Sequence, residues 1–443
     1  MSTLDEAREH YLSRHTHFAG QLGDEPSWLG QLRAEALTSF SERGLPHRKL
    51  EEWRYTNIAP LAQIPFEVPG AGTALPAPEV VAGLSPCASA GESTIFVDGH
   101  LASALSVQSV PSGGVEVESI AEQLLRSPQQ LEPHLGRSVD VKLHPFAALN
   151  TAFLDDGASV RVPAGCEVGA PLRLVFVAER TDTPRVCHPR VAIAAGENSR
   201  ATIVLDFVAR GSGKGLTNAV VEVSLERNAH VDLIVLQRES GEHFHVSNLA
   251  VRQERDSRFA AYTLSLAGRL VRNDASVVLA GEGAECVLNG LFVGSERQLV
   301  DNHTTIDHAV PHGTSSELYK GILTDRARGV FRGRVIVRPD AQKTNALQSN
   351  PNLLLGERAE IDTKPQLEIY ADDVKCSHGS TVGQLDEAAL FYLRSRGIAE
   401  SGARQLLTRA FAAEILEALP VPALTEALAE ELMAHLRGSG AGR

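Results

Sequence analysis

Between about Ala158 and Tyr370 the chain is a succession of short apolar runs separated by turns that resemble one another. Runs such as VRVPAG, LRLVFVAE, RVAIAAG, ATIVLDFVA, HVDLIVLQ and GRVIVRP are rich in the β-branched and aliphatic residues that suit strands, and turn residues bound each one. The turns AGENSRAT (195–202), LERNAHVD (225–232), QERDSRFA (253–260) and GEGAECVL (281–288) share a pattern. Aligned on their small residues Ser199, Ala229, Ser257 and Ala284, they step by 30, 28 and 27 residues. A unit of this length cannot bury its own apolar face and must stack on its neighbours. The expected core is therefore a parallel β-helix, with an antiparallel meander as the alternative. A related turn, GERAEIDT, puts Ala359 75 residues beyond Ala284, which reads as one irregular coil with an insertion.

The two ends follow a different period. Leu29, Leu32, Arg33, Ala36, Leu37 and Phe40 recur at helical spacing until Gly44 and Pro46 stop the pattern. Residues 67–93 are rich in Pro, Gly and Ala and read as a surface connection. After Gln384 the helical period returns: Asp386 caps a helix carrying Leu390 and Leu393, and Gly397 stops it. A second helix sets Ala403, Leu406, Leu407, Ala410, Phe411, Ile415 and Ala418 on one stripe ended by Pro420, and a third runs from about Pro422 to Arg437. That stripe either packs within the helical end or offers part of its face to a partner. The expected division is 1–93, helices and linker; 94–384, β-helix; and 385–443, helical end.

With 42 Lys+Arg against 55 Asp+Glu the chain carries a formal charge of −13 and no basic stripe, which argues against nucleic-acid binding. Five scattered cysteines, Cys87, Cys166, Cys187, Cys286 and Cys376, form no CxxC pair and fit neither a disulfide framework nor a zinc module. They suit a reducing cytoplasm. The first residues, MSTLDEAREHYLSRH, lack the apolar core of a secretory signal, and no run approaches the length of a membrane span.

Common catalytic signatures are missing. GSGKG at 211–215 lacks both the upstream Gly and the following Ser or Thr of a phosphate loop, so it reads as a turn between strands. GxSxG and HExxH do not occur. His243 and His245 share a strand face as a metal pair could, or are satisfied residues on a solenoid flank. His303, His308 and His312 lie beside Asp301 and Asp307, either as secondary metal ligands or bonded within an insertion between coils. In YADDVKCSHGS, strand alternation puts Val374, Cys376 and His378 on one face, and Gly379 permits close approach of backbone or ligand. Thiolate and imidazole are both competent iron ligands, yet two donors cannot close an iron–sulfur site that usually needs four. The rest would have to come from substrate or another chain. The other reading is a structural cysteine beside a surface histidine.

The stretch from Gly356 to Ile398, with its CSHGSTVGQLDE motif, resembles the SufD family of iron–sulfur cluster assembly proteins, as do LPHRKLEEWRYTNI (45–58) and ELYKGIL (317–323). The resemblance runs from about residue 20 to 435. It implies a mainly β protein with a right-handed parallel β-helix core and N- and C-terminal α-helical domains, acting as a non-catalytic scaffold. It implies a SufB-like paralogue as partner through the β-helix. It also implies a SufC-like ABC ATPase on the helical end, where Leu390, Leu393, Leu406, Leu407 and Phe411 are the expected contacts. Cys376 and His378 match motif positions at the contact with the paralogue, where the histidine is implicated in building a nascent cluster or admitting its iron. The expected cargo is iron or a transient cluster shared with the paralogue, none being tightly bound by the isolated chain, which could pair with itself. Many relatives carry a cysteine where Gly313 stands, so that loop departs from the pattern. The competing readings are a SufB-like scaffold and, from another class, a carbohydrate-active β-helix enzyme.

Overall fold

The computed structural model describes residues 2–70, 72, 74–85, 92–107 and 112–438, so Cys87 lies outside the described residues. The chain alternates between two sheets as it winds, giving a parallel β-solenoid of about eight turns with helices at both ends. The first sheet contains Thr94–Val97, Leu172–Arg180, Arg200–Gly211, His230–Gln237, Arg258–Ser265, Glu285–Gly294, Thr314–Leu323, Asn345–Leu354 and Lys375–Gly383. Leu270–Leu279, Leu299–His308, Arg328–Val337 and Glu360–Ile369 are the last strands of the second.

Successive first-sheet strands pair in register at Arg200, His230, Arg258, Glu285, Thr314, Asn345 and Lys375. The steps from Glu285 onward are thus 29, 31 and 30 residues, and no coil carries an insertion. The irregular coil expected from the 75-residue spacing does not exist, because Ala359 precedes a strand of the other sheet, in register with Ala327 rather than Ala284. The repeating turns have a conformational cause. Asn198, Asn228, Asp256 and Gly283 all occupy the left-handed region, with φ of 59°, 54°, 55° and 72°, which Gly, Asn and Asp tolerate best.

Inside the solenoid Val, Ile, Leu and Phe from both sheets form one core, with Phe96, Phe176 and Phe207 stacked on successive rungs at 5.0 and 4.9 Å. The outer faces are covered by different helices. Helices Thr3–Ala19, Ser27–Arg43 and Pro145–Ala152 bring Phe40, Phe146 and Phe153 onto Leu216, Phe244 and Val246 of the second sheet. The C-terminal helices Glu400–Leu416 and Pro422–Gly438 set Ala412, Ile415, Leu416, Leu428 and Leu432 against Val204, Ile234, Leu264 and Leu291 of the first.

Two local expectations change. The 67–93 segment contains a helix, Pro78–Leu84, whose Val81 is buried on the first sheet, so it is not simply a surface connection. In Glu400–Leu416 the buried face is Ala403, Thr408, Ala412, Ile415 and Leu416, whereas Leu406, Ala410 and Ala418 are exposed. Of the expected stripe Ala403 and Ile415 are buried and Leu407 and Phe411 half-buried, and Lys320 also holds the helix, its ammonium donating to Phe411 O at 3.0 Å and pairing with Glu414. A long-range contact of this kind leaves no trace in local periodicity.

Candidate functional site at the open end

The flank of the second sheet and the C-terminal end of the solenoid are finished differently. Along the flank, under the N-terminal helices, charge is buried and matched. Arg190, fully buried, pairs with Glu222 and donates to Asn150 Oδ1 and Thr151 Oγ1, both at 3.0 Å. Further along the second sheet, Arg272 lies 3.9 Å above the Trp53 ring, pairs with Asp274 and Asp301, and donates to Glu52 O at 2.8 Å. Thr56 completes this clamp on Asp301. The EEWRYT motif thus fastens the N-terminal region to the sheet.

The last coil has no such cover. Lys375–Gly383 pairs only with Asn345–Leu354, and Glu360–Ile369 only with Arg328–Val337, so both sheets end on an open edge. Unpaired edges present backbone donors and acceptors ready for another strand. Tyr370 and Val382, at 62% and 51% exposure, add apolar surface beside them.

Cys376 and His378 sit on this rung. Val374 and Cys376 pack toward Val335, Val337, Ala341 and Ala346, so their face is the lumen face, and His378 two residues on shares it. Cys376 is half-buried and His378 exposed at the mouth. Burial pushes the Cys376 thiol up, so in the isolated chain it holds its proton and a metal would have to displace it. A β-carbon on Gly379 would meet nothing within 4 Å, which leaves space beside His378 for another molecule.

The other histidines are brought elsewhere. His303 and His308 lie in the regular strand Leu299–His308 rather than an insertion, and a five-residue step puts them on opposite faces. His303 Nε2 is 2.9 Å from Asp301 in the Arg272 clamp, whereas His308 Nε2 meets Ser315 Oγ at 2.9 Å inside the solenoid. His312 occupies the following turn at φ 63°. The three therefore form no common site. A β-carbon at Gly313 would lie 2.8 Å from His308 Nδ1, so the glycine keeps room for that ring. His243 and His245 do share a face but are buried, not on a flank: His245 Nδ1 is 3.1 Å from Glu239, and His243 Nε2 is 2.9 Å from Thr217. Burial alone would raise the Glu239 carboxyl, but the two imidazoles outweigh it and hold it at about 2. Among the described residues no three His, Cys, Asp or Glu converge as metal ligands.

Of the five apolar residues expected to meet an ATPase, Leu390 is buried in the helical end and Leu393, Leu407 and Phe411 are half-buried. Only Leu406 is exposed, and it is joined by Phe391 and Tyr392, which the helical stripe had passed over. The sequence reading also missed Glu317, a fully buried carboxyl facing Gln348 in the lumen. Its signal was available: in the strand ELYKGIL an acid alternates in phase with Tyr319, a core residue.

The fold is a helix-flanked β-solenoid that sets a thiol and an imidazole on its open terminal edge rather than in a cleft. Sequence comparison gives its family. The SufBD core domain of the SUF system for FeS cluster assembly matches residues 176–411, and the SufBD protein N-terminal region matches 7–174. Among similar proteins, an iron–sulfur cluster assembly SufBD family protein of Synechocystis is 34% identical, with 91% of this chain and 90% of that protein covered. The iron–sulfur cluster assembly protein SufD of Escherichia coli is 33% identical over 90% of each chain, and SufD of Bacillus subtilis is 29% identical over 91% of this chain and 93% of its own. The chain belongs to the SufBD family and is a component of SUF-type iron–sulfur cluster assembly.

Proposed function

We propose that this chain is the SufD-type, non-catalytic scaffold subunit of a cytoplasmic assembly complex, and that the open end of its solenoid is where a SufB-like paralogue joins it. The observation that carries the reading is the placement of Cys376 and His378 on the lumen face of the terminal edge strand, which offers two iron-competent donors that, among the described residues, no third joins. The missing donors come from the facing chain, so iron or a nascent cluster is shared cargo. Among the described residues no helix is long and apolar enough to cross a membrane.

In this reading residues 1–93 fasten the N-terminal region, 94–384 form the scaffold and 385–443 dock a SufC-like ABC ATPase. Phe391, Tyr392 and Leu406 are its exposed apolar contacts, supported at the rim by Leu393, Leu407 and Phe411. ATP binding draws two ATPase subunits together, the helical ends move with them, and the seam between the two solenoids opens for iron entry. Lys320 couples the parts, since it ties Phe411 and Glu414 of the second helix to the third strand from the open end. The test is co-expression of the His378→Ala protein with its partners: cluster maturation should slow by at least an order of magnitude, and an unaltered rate would sink the proposal. A SufB-like assignment is disfavoured because both SufD relatives match along about nine-tenths of the chain.

A further inference from the structure

The lumen face behind His378 holds two polar residues to which the iron-handling reading assigns no role. Glu317, Gln348 and His378 stand in register on Thr314–Leu323, Asn345–Leu354 and Lys375–Gly383. In-register residues of parallel strands project from the same side of the sheet, so the three side chains form a file running from the interior to the mouth. Gln348 Nε2 donates to Glu317 Oε2 at 2.6 Å. At pH 8, above the value of about 7 to which burial raises Glu317, that bond orients the amide, because a carboxylate can only accept from its NH₂ end. Gln348 Oε1 is thereby left over, and although the residue is only 3% exposed this oxygen has no partner. The space beside the amide is kept by Gly333, where a β-carbon would lie 2.0 Å from Gln348 Nε2.

A buried acceptor without a donor is costly, so it calls for an explanation. The next rung offers a donor in His378, the in-register neighbour of Gln348 on the adjacent strand. Glu317 itself is too far back to share a metal with His378, being two rungs or about 9.6 Å away at the usual spacing of adjacent strands.

We infer that Gln348 is the positioning residue for His378: its Oε1 accepts one imidazole N–H, which leaves the other ring nitrogen with its lone pair directed out of the mouth. The inference rests on the reading of His378 as an iron ligand. Imidazole ligands are commonly fixed in this way, since the hydrogen bond at one nitrogen sets which nitrogen is free for metal. Glu317 acts one step behind, as the group that keeps the amide from flipping.

Nitrogen-15 histidine NMR of the isolated full chain tests this without iron, with His378→Gln identifying the signal. The wild-type imidazole should be a single neutral tautomer at pH 8. Gln348→Leu should return the mixture of a free imidazole, and Gln348→Glu, which keeps an acceptor, should restore the single form. In the assembled complex Gln348→Leu should weaken iron binding roughly tenfold or more, as outer-shell losses do. Identical tautomer populations in wild type and Gln348→Leu would overturn the inference. Should Gln348→Leu lose its melting transition, Glu317→Leu serves instead, since freeing the amide should also give the mixture, and a single tautomer there would overturn the inference equally. Iron retained by a His378→Ala complex would instead refute the ligand reading, leaving the iron-free tautomer result to judge Gln348 by itself.

Discussion

The flank of the second sheet and the last coil of the solenoid are finished in opposite ways. On the flank, N-terminal helices, the buried Arg190–Glu222 pair and the Trp53–Arg272 contact cover the strands, while at the C-terminal end the last strand of each sheet has one neighbour only, with Cys376, His378 and Tyr370 beside it. Edge strands are ordinarily shortened, bulged or covered, because they template pairing with other chains. Two long bare edges, next to a flank covered so thoroughly, support the proposal that another subunit joins at this end.

If the covered flank is structural, breaking it should be costly. Removing Arg190, as in Arg190→Met, leaves Glu222 buried without its cation and should destabilise the protein by about 3–5 kcal/mol in urea unfolding. Trp53→Ala empties the site beneath Arg272 and should cost about 3 kcal/mol by the same measurement, with loss of protection in the N-terminal helices first.

The lumen between the ends gives a third test, through pH. Burial raises the Glu317 carboxyl to about 7, only partly offset by Thr304 and Gln348. The folded chain therefore keeps a proton that the unfolded chain releases near 4.5, so stability falls as pH rises through the window from about 4.5 to 7. The loss should reach up to about 3 kcal/mol, and Glu317→Gln should flatten this slope. Glu239 contrasts with it, since paired histidines hold that equally buried acid at about 2 and its contribution should be lost only in strong acid.

The smallest stability effect belongs at the open end. Tyr370→Glu should change unfolding free energy by less than about 0.5 kcal/mol, as exposed substitutions do. It should nonetheless abolish co-purification with the paralogue. A mutant that unfolds the chain, or one that leaves the complex intact, would each break the contrast between the covered flank and the open end.

The solenoid was legible because its determinants are local: period-two strands and a corner that demands a left-handed residue at Asn198, Asn228 and Asp256. The same logic placed Val374, Cys376 and His378 on one face. What the sequence could not reveal depends on contacts between distant residues. Lys320 ties down the helix Glu400–Leu416, Arg272 captures His303 through Asp301, and Glu239 captures His243 and His245. Ala359 misled because both corners of a coil use small residues, so matching turns alone does not say which sheet follows.

Iron analysis of the assembled complex, purified with wild-type or His378→Ala subunit, addresses the central claim most directly. The account predicts that iron per complex falls severalfold with the substitution while all subunits still co-purify. Equal iron in both complexes would contradict it.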